Sequence, residues 1–117
     1  MKIASILENQ NIEKRVAITP EIAKKYLSLG FEVSLSENYA SHLGIQDEEY
    51  KVLGVSFSKN EKDIITNADV IVQLSLLDNE KSSLLKENQT FVGVLNPYDN
   101  EEQINDLVKK KINIFSL

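Results

Sequence analysis

The chain has 117 residues, 42% of them apolar and 26% charged, with a net charge of -5 and a pI near 4.9. That is one ordinary domain with enough apolar residues for a single core. Its acidity argues against nucleic acid or an anionic membrane as partner, and the lack of cysteine together with a single histidine, His42, excludes disulfides, thiolate zinc sites, a cysteine nucleophile and a histidine-based metal cluster.

The opening run Met1 to Leu7 is too short for a signal peptide. No segment approaches the roughly 20 apolar residues of a membrane helix. The expected location is therefore the cytoplasm, with no direct membrane insertion. Ile3 to Leu7 is predicted as the first strand. Pro20 to Leu29 is predicted as a helix, because Ile22, Ala23, Tyr26 and Leu27 share one face at the 3.6-residue period. Thr19 suits its N-cap, Pro20 its first position and Glu21 the positive end of its dipole. Gly30 stands where a left-handed C-cap is expected. Phe31 to Ser36 alternates apolar with polar and reads as the second strand.

Asp47 to Leu53 reads as a short helix with Tyr50 and Leu53 inward and Gly54 ending it. Val55 to Phe57 is a short strand and Lys59 to Asn67 a helix. Ala68 to Leu74 is apolar on both faces, as a buried parallel strand should be. Glu80 to Lys86 is a short helix and Thr90 to Leu95 a strand. Asn100 to Lys110 is a helix with Ile104, Leu107 and Val108 inward, and Lys109-Lys110-Lys111 at its end suits the dipole. Ile112 to Leu117 is the last strand. This alternation predicts a three-layer α/β domain with a mainly parallel sheet, flavodoxin-like or Rossmann-like, with right-handed crossovers. There is no internal repeat or linker, so residues 1–117 form one unit. A strand at the very end of the sequence leads us to expect the truncated amino-terminal domain of a longer chain.

In such a sheet ligands bind beyond the carboxyl ends of the strands. Three loops leave that edge. The first, Glu8 to Ile18, carries Arg15, whose guanidinium fork suits a carboxylate or phosphate beside the helix start at Thr19-Pro20. Its ordinary alternative is an ion pair with Glu8 or Glu13. The second carries Gln73 and Ser75; Gln73 is either a ligand contact or a satisfied strand-end amide. The third is Asn96-Pro97-Tyr98-Asp99, where Asn96 offers an amide to a ligand or simply makes a turn. Arg15, Gln73 and Asn96 are thus the candidate substrate- or cofactor-adjacent residues. His42, in a loop, reads as a solvated or capping histidine. There is no catalytic constellation and no metal-ligand set. The four glycines, at 30, 44, 54 and 93, leave no G-x-G-x-x-G and no P-loop, so nucleotide chemistry must use residues outside the 117.

Glu8, then Arg15-Val16-Ala17-Ile18-Thr19-Pro20, then Leu29-Gly30-Phe31-Glu32-Val33, followed in order by Ala68 to Val72 and Asn96-Pro97, resembles the amino-terminal domain shared by alanine dehydrogenases and the alpha subunit of proton-translocating NAD(P) transhydrogenase. The resemblance covers essentially the whole chain. Arg15 matches the arginine of alanine dehydrogenases. Gln73 stands where they place a lysine and Asn96 where they place a histidine. Neither amide supplies charge or a titratable proton near neutral pH, so the resemblance is closer to the transhydrogenase, which passes hydride directly between two nicotinamides. It implies hydride transfer from NADH to NADP, coupled to proton translocation in the full complex. It also implies NAD held by the parent protein outside this chain, the remaining transhydrogenase domains or subunits as partners, a homodimer, and a place on the cytoplasmic face of the inner membrane. The isolated 117 residues are expected to be inactive. The alternatives are an alanine-dehydrogenase-like amino-acid dehydrogenase and a standalone interaction module without catalysis.

Overall fold

The computed structural model describes residues 1–8, 13–77, 79–93 and 101–116. Six strands form one sheet: β1 (Lys2–Ser5), β2 (Glu32–Ser36), β3 (Ser56–Ser58), β4 (Val70–Gln73), β5 (Thr90–Gly93) and β6 (Asn113–Ser116). Five helices connect them: α1 (Pro20–Ser28), α2 (Asp47–Lys51), α3 (Glu61–Asn67), α4 (Asn79–Ser82) and α5 (Glu101–Lys109), with a 3-10 turn at Ser41–Leu43. Each predicted element has a counterpart, with ends trimmed or shifted by a few residues: β1 starts one residue before the predicted Ile3, β3 runs one residue past Phe57, and α4 starts one residue before Glu80 and stops four short of Lys86. The 3-10 turn is the added element. Val94, Leu95, Asn100 and Leu117, at the margins of three predicted elements, lie outside the described residues.

Every strand pair is parallel, and the spatial order is β3-β2-β1-β4-β5-β6. That order is the doubly wound arrangement typical of dinucleotide-binding sheets, rather than the flavodoxin order. Right-handed crossovers then put α1 and α2 on one face and α3 to α5 on the other. The core follows this division. Ile3, Val33, Leu35 and Val72 pack with Ala23, Tyr39 and Tyr50 on the first face. Ala4, Ile6, Ile71 and Phe91 pack with Ile65 and Leu107 on the second. Adjacent residues of one strand serve opposite layers, as the period of two requires.

The helix ends explain themselves locally. Thr19 Oγ1 accepts from the Ile22 N–H at 3.3 Å, and Pro20 opens α1. Gly30, at φ +92°, closes α1 by donating to the Leu27 carbonyl while Phe31 donates to Tyr26, both at 3.1 Å. The same pair of bonds ends α5, where Lys111 donates to Val108 at 3.0 Å and Ile112 to Leu107 at 3.1 Å. Here the left-handed position, φ 62°, is held by a lysine. Its Cβ meets the following carbonyl at a cost that glycine avoids, and its ion pair with Glu87 at 3.5 Å is solvent-exposed on both sides. Lys111→Gly is therefore expected to stabilise the domain by about 0.5–1 kcal/mol, read as a higher urea midpoint at unchanged slope. An unchanged or lower midpoint would count against the strain.

Two expectations about α5 are revised. Leu107 is buried and Ile104 half-buried, but Val108 is 59% exposed. The helix packs against β6, at the edge of the sheet, so only one side of its apolar stripe finds a partner. The basic run also does more than meet its own dipole, for Lys110 Nζ donates to the Ser82 and Ser83 carbonyls at 3.4 Å each, at the end of α4. Among the described residues no helix is long and apolar enough to cross a membrane.

Candidate functional site

β1 and β4 are neighbours, and the chain leaves them in opposite directions, toward β2 and toward β5. Their carboxyl ends are thus the topological switch point, where an open α/β sheet forms its ligand crevice. Ser5 through Glu8 leave β1 there, and Gln73 through Ser75 leave β4.

Gln73 is 1% exposed, and its amide is saturated. Oε1 accepts from Ser5 Oγ at 2.9 Å and from the Ile6 N–H at 2.7 Å. Nε2 donates to the Ile6 carbonyl at 3.1 Å and to the Glu8 carboxylate. The Ile6 N–H and C=O fix which end of the amide is which. Glu8, 6% exposed, takes three further donors: the Ser75 N–H at 3.0 Å, Ser75 Oγ at 2.9 Å and the Leu74 N–H at 3.4 Å. Burial raises the Glu8 carboxyl above its ordinary pKa. The Ser75 and Leu74 bonds pull against this, and the nearby Glu13 charge adds to it.

The network continues inward. Ser5 Oγ lies 2.7 Å from Tyr39 OH. Because Ser5 spends its proton on Gln73, the tyrosine donates in this pair. Tyr39 OH also accepts from the Ile18 N–H at 3.2 Å, and Tyr50 OH donates to the Ile18 carbonyl at 2.8 Å. Burial pushes the Tyr39 phenol up to about 12 and the Tyr50 phenol upward as well. A single chain of bonds thus ties β1, β4, the approach to α1, the residue at 39 and α2. It holds both walls of the crevice in one geometry.

Arg15 is 73% exposed, and its fork is occupied by Glu13, with Nε–Oε1 and Nη2–Oε2 each at 2.9 Å. The guanidinium holds the Glu13 carboxyl down to about 2. The pair and the Arg15 N–H, 3.0 Å from Glu13 Oε1, order the turn before α1. His42 Nε2 lies 2.7 Å from the Lys14 carbonyl and donates to it, bringing the 3-10 turn to the same place. Asn96 lies outside the described residues. The structure therefore puts Gln73 at the switch point and Arg15 on an exposed turn two residues from its partner.

Sequence patterns alone give Glu8, Ser5 and Tyr39 no role at a site. The available signal was a polar residue ending each of two buried strands, Ser5 and Gln73, with a carboxylate three residues past the first. Chemically, the crevice holds one ionisable group, Glu8, among the described residues around Gln73, and its lone pairs are engaged by four donors. It can brace loops, and among the described residues it offers no free acid or base. Nor do its residues fit a dinucleotide. No glycine occurs between Ile6 and Thr19 to let a diphosphate approach the backbone, and the Glu8 carboxylate would repel one. Among the described residues no group of three or more His, Asp or Glu could hold a metal ion.

Residues 6–117 match the family Alanine dehydrogenase/PNT, N-terminal domain. An NAD(P) transhydrogenase alpha subunit chain of Rickettsia prowazekii is 36% identical over the whole of this chain, which corresponds to 32% of that relative. The crystal structure of transhydrogenase from Sinorhizobium meliloti superposes with a TM-score of 0.88 at 28% identity, over 97% of this chain and 34% of that one. An L-alanine dehydrogenase structure shares the fold, with a TM-score of 0.91 at 19% identity, over 99% of this chain and 32% of its own. The chain thus spans about a third of the length of these relatives, which are oxidoreductases. With the family matched from residue 6 to the last residue and the fold shared with both of its branches, the chain belongs to the alanine dehydrogenase/PNT N-terminal domain family.

Proposed function

We propose that these residues are the amino-terminal domain of an NAD(P) transhydrogenase alpha subunit. In the whole protein hydride passes from NADH to NADP, coupled to proton translocation in the full complex on the cytoplasmic face of the inner membrane. NAD is held by regions of the parent outside this chain. The partners are those remaining domains and subunits, with a second copy in a homodimer. The observation that carries this reading is the 36% identity to a transhydrogenase alpha subunit over the full chain, against 28% over 105 residues to an alanine dehydrogenase of Methanococcus maripaludis.

The chemistry of the switch point supports it. Direct hydride transfer needs positioning rather than a proton donor. Among the described residues, a crevice whose amide and carboxylate are committed to each other supplies rigidity and no free acid-base group. Amino-acid oxidation would need a group to hold the substrate carboxylate and another to move the imine proton. Arg15 is engaged with Glu13, and Gln73 has no proton to give.

The test uses the parent protein and two assays: reduction of an NADP analogue by NADH, and NADH oxidation driven by pyruvate with ammonium. The expected outcome is the first activity without the second. The reverse would overturn the reading in favour of the dehydrogenase branch. For the 117-residue chain alone, titration with NADH is expected to show no binding at micromolar concentration. Micromolar binding would contradict an NAD site outside it.

A further inference from the structure

We infer that Ser75 and Glu8 form a two-state proton latch at the switch point, in which the Ser75 hydroxyl donates to the ionised carboxylate and turns round to accept from the protonated one. The clamp between β1 and β4 then keeps its contacts when the charge of Glu8 is neutralised.

The four donors divide between the two carboxylate oxygens. Glu8 Oε2 accepts from Gln73 Nε2 and, at 3.4 Å, from the Leu74 N–H. Glu8 Oε1 accepts from the Ser75 N–H at 3.0 Å and from Ser75 Oγ at 2.9 Å. A proton on Oε2 would meet only amide nitrogens, which carry hydrogen and offer no lone pair. The Gln73 amide gains nothing by flipping, because the Ile6 N–H holds its oxygen and the Ile6 carbonyl its nitrogen. A proton on Oε1 meets Ser75 Oγ, and a hydroxyl is the one partner of the four that both donates and accepts. With that hydroxyl reversed, Oε1 donates to Ser75 Oγ and Oε2 keeps both of its bonds as a carbonyl oxygen.

Burial gives the carboxylate a reason to take the proton. Glu8 is 6% exposed, and a buried charge is costly without a counter-ion. β1 and β4 bring it only neutral groups, through Ser5, Gln73, Leu74 and Ser75. The turn before α1 brings Glu13, whose charge works against ionisation, and Arg15 is bound to Glu13. The loop after β2 brings the Tyr39 phenol, which burial keeps neutral. Ser75 is half-buried, between Glu8 and solvent. Its hydroxyl hands its own hydrogen to Oε1 and takes another from hydronium, and the reverse exchange returns it. The mouth of the crevice changes in step: Ser75 Oγ offers its lone pairs above the titration and its O–H below it. The latch is independent of which oxidoreductase the parent is.

The test follows the Glu8 carboxyl carbon and the Ser75 Cβ by carbon NMR from acid to neutral pH in the 117-residue chain. Ser75→Ala and Ser75→Thr are compared with it, with urea midpoints taken well below and well above the Glu8 titration. The wild-type Ser75 Cβ resonance is expected to move with the same midpoint as Glu8. Ser75→Ala is expected to lower the urea midpoint on both sides of that titration. It should change the affinity of Glu8 for its proton less than about threefold, because each state loses one bond. Ser75→Thr, which keeps the hydroxyl, should restore the midpoints. A serine that only donates predicts a loss confined to the alkaline side and a proton held about tenfold tighter in Ser75→Ala, and that result would overturn the latch. Unchanged midpoints in Ser75→Ala would overturn it too. So would a wild-type Ser75 Cβ resonance that ignores the titration, a reading that depends on no variant.

Discussion

Gln73→Leu is expected to destabilise the domain by about 3–5 kcal/mol, well beyond the effect of a surface change. Leucine fills the volume but makes none of the four bonds. Ser5 Oγ and the Ile6 N–H lose an acceptor, and the Ile6 carbonyl and the Glu8 carboxylate lose a donor. All four groups are at the sheet's centre, away from water that might replace the bond. Gln73→Glu separates bonding from shape. It keeps an acceptor for Ser5 and Ile6 but sets a second carboxyl against Glu8, and two such groups resist ionising together. One of them then has its folded-state pKa raised, so the variant is most stable in acid and loses stability as pH rises through that raised value. Urea unfolding at pH 4 and pH 7 checks both variants. A loss below about 1 kcal/mol for Gln73→Leu, or a pH-independent cost for Gln73→Glu, would show that the amide is packing and not the centre of a network.

How far this was legible in the sequence divides along physical lines. The alternation of apolar runs and helical faces was readable because burial repeats at the period of each element. The caps at Thr19-Pro20-Glu21 and Gly30 were readable because they act within a few residues. The engagement of Arg15 by Glu13 was open as one of two local pairings, two residues apart. The strand order was not readable, because it depends on which way the chain crosses after β3, and no local residue records that. The clamp was harder still. Glu8 and Gln73 are 65 residues apart, and each alone looks like an ordinary loop acid and an ordinary strand-end amide. Only the parallel register of β1 with β4 brings them together. Val108 failed for a related reason, since the 3.6-residue period marks a stripe but does not say that the helix sits at the edge of the sheet. Lys111 hides a left-handed turn that glycine would have announced.

Glu8 carries the second large effect, and it has a pH signature. Glu8→Ala strands the Gln73 amide, the Ser75 N–H and hydroxyl and the Leu74 N–H, at an expected cost of about 2–4 kcal/mol. Glu8→Gln keeps the size but turns one acceptor into a donor that faces donors, for about 1–3 kcal/mol. The wild-type carboxyl has its folded-state pKa raised above 4.5 by burial. It therefore binds its proton more tightly folded than unfolded. Its contribution is fully present below pH 4.5 and is lost as pH rises through the raised value. Glu13 works the other way: held down to about 2 by Arg15, it adds stability above pH 4.5 that is lost as pH falls toward 2, weakly, because the pair is exposed. The cost of Glu8→Gln should thus be largest near pH 4 and smaller at pH 7, while Glu13→Gln should flatten only the acid limb. A Glu8→Gln cost that does not change with pH would mean that the four donors just offset burial, and a cost that grows from pH 4 to pH 7 would mean that they outweigh it. The double variant Glu8→Ala with Gln73→Leu then measures the clamp itself. Once one partner is gone the other has less to lose, so the pair should cost about 1–2 kcal/mol less than the sum of the single changes. Simple additivity would mean that the two walls of the crevice are held separately.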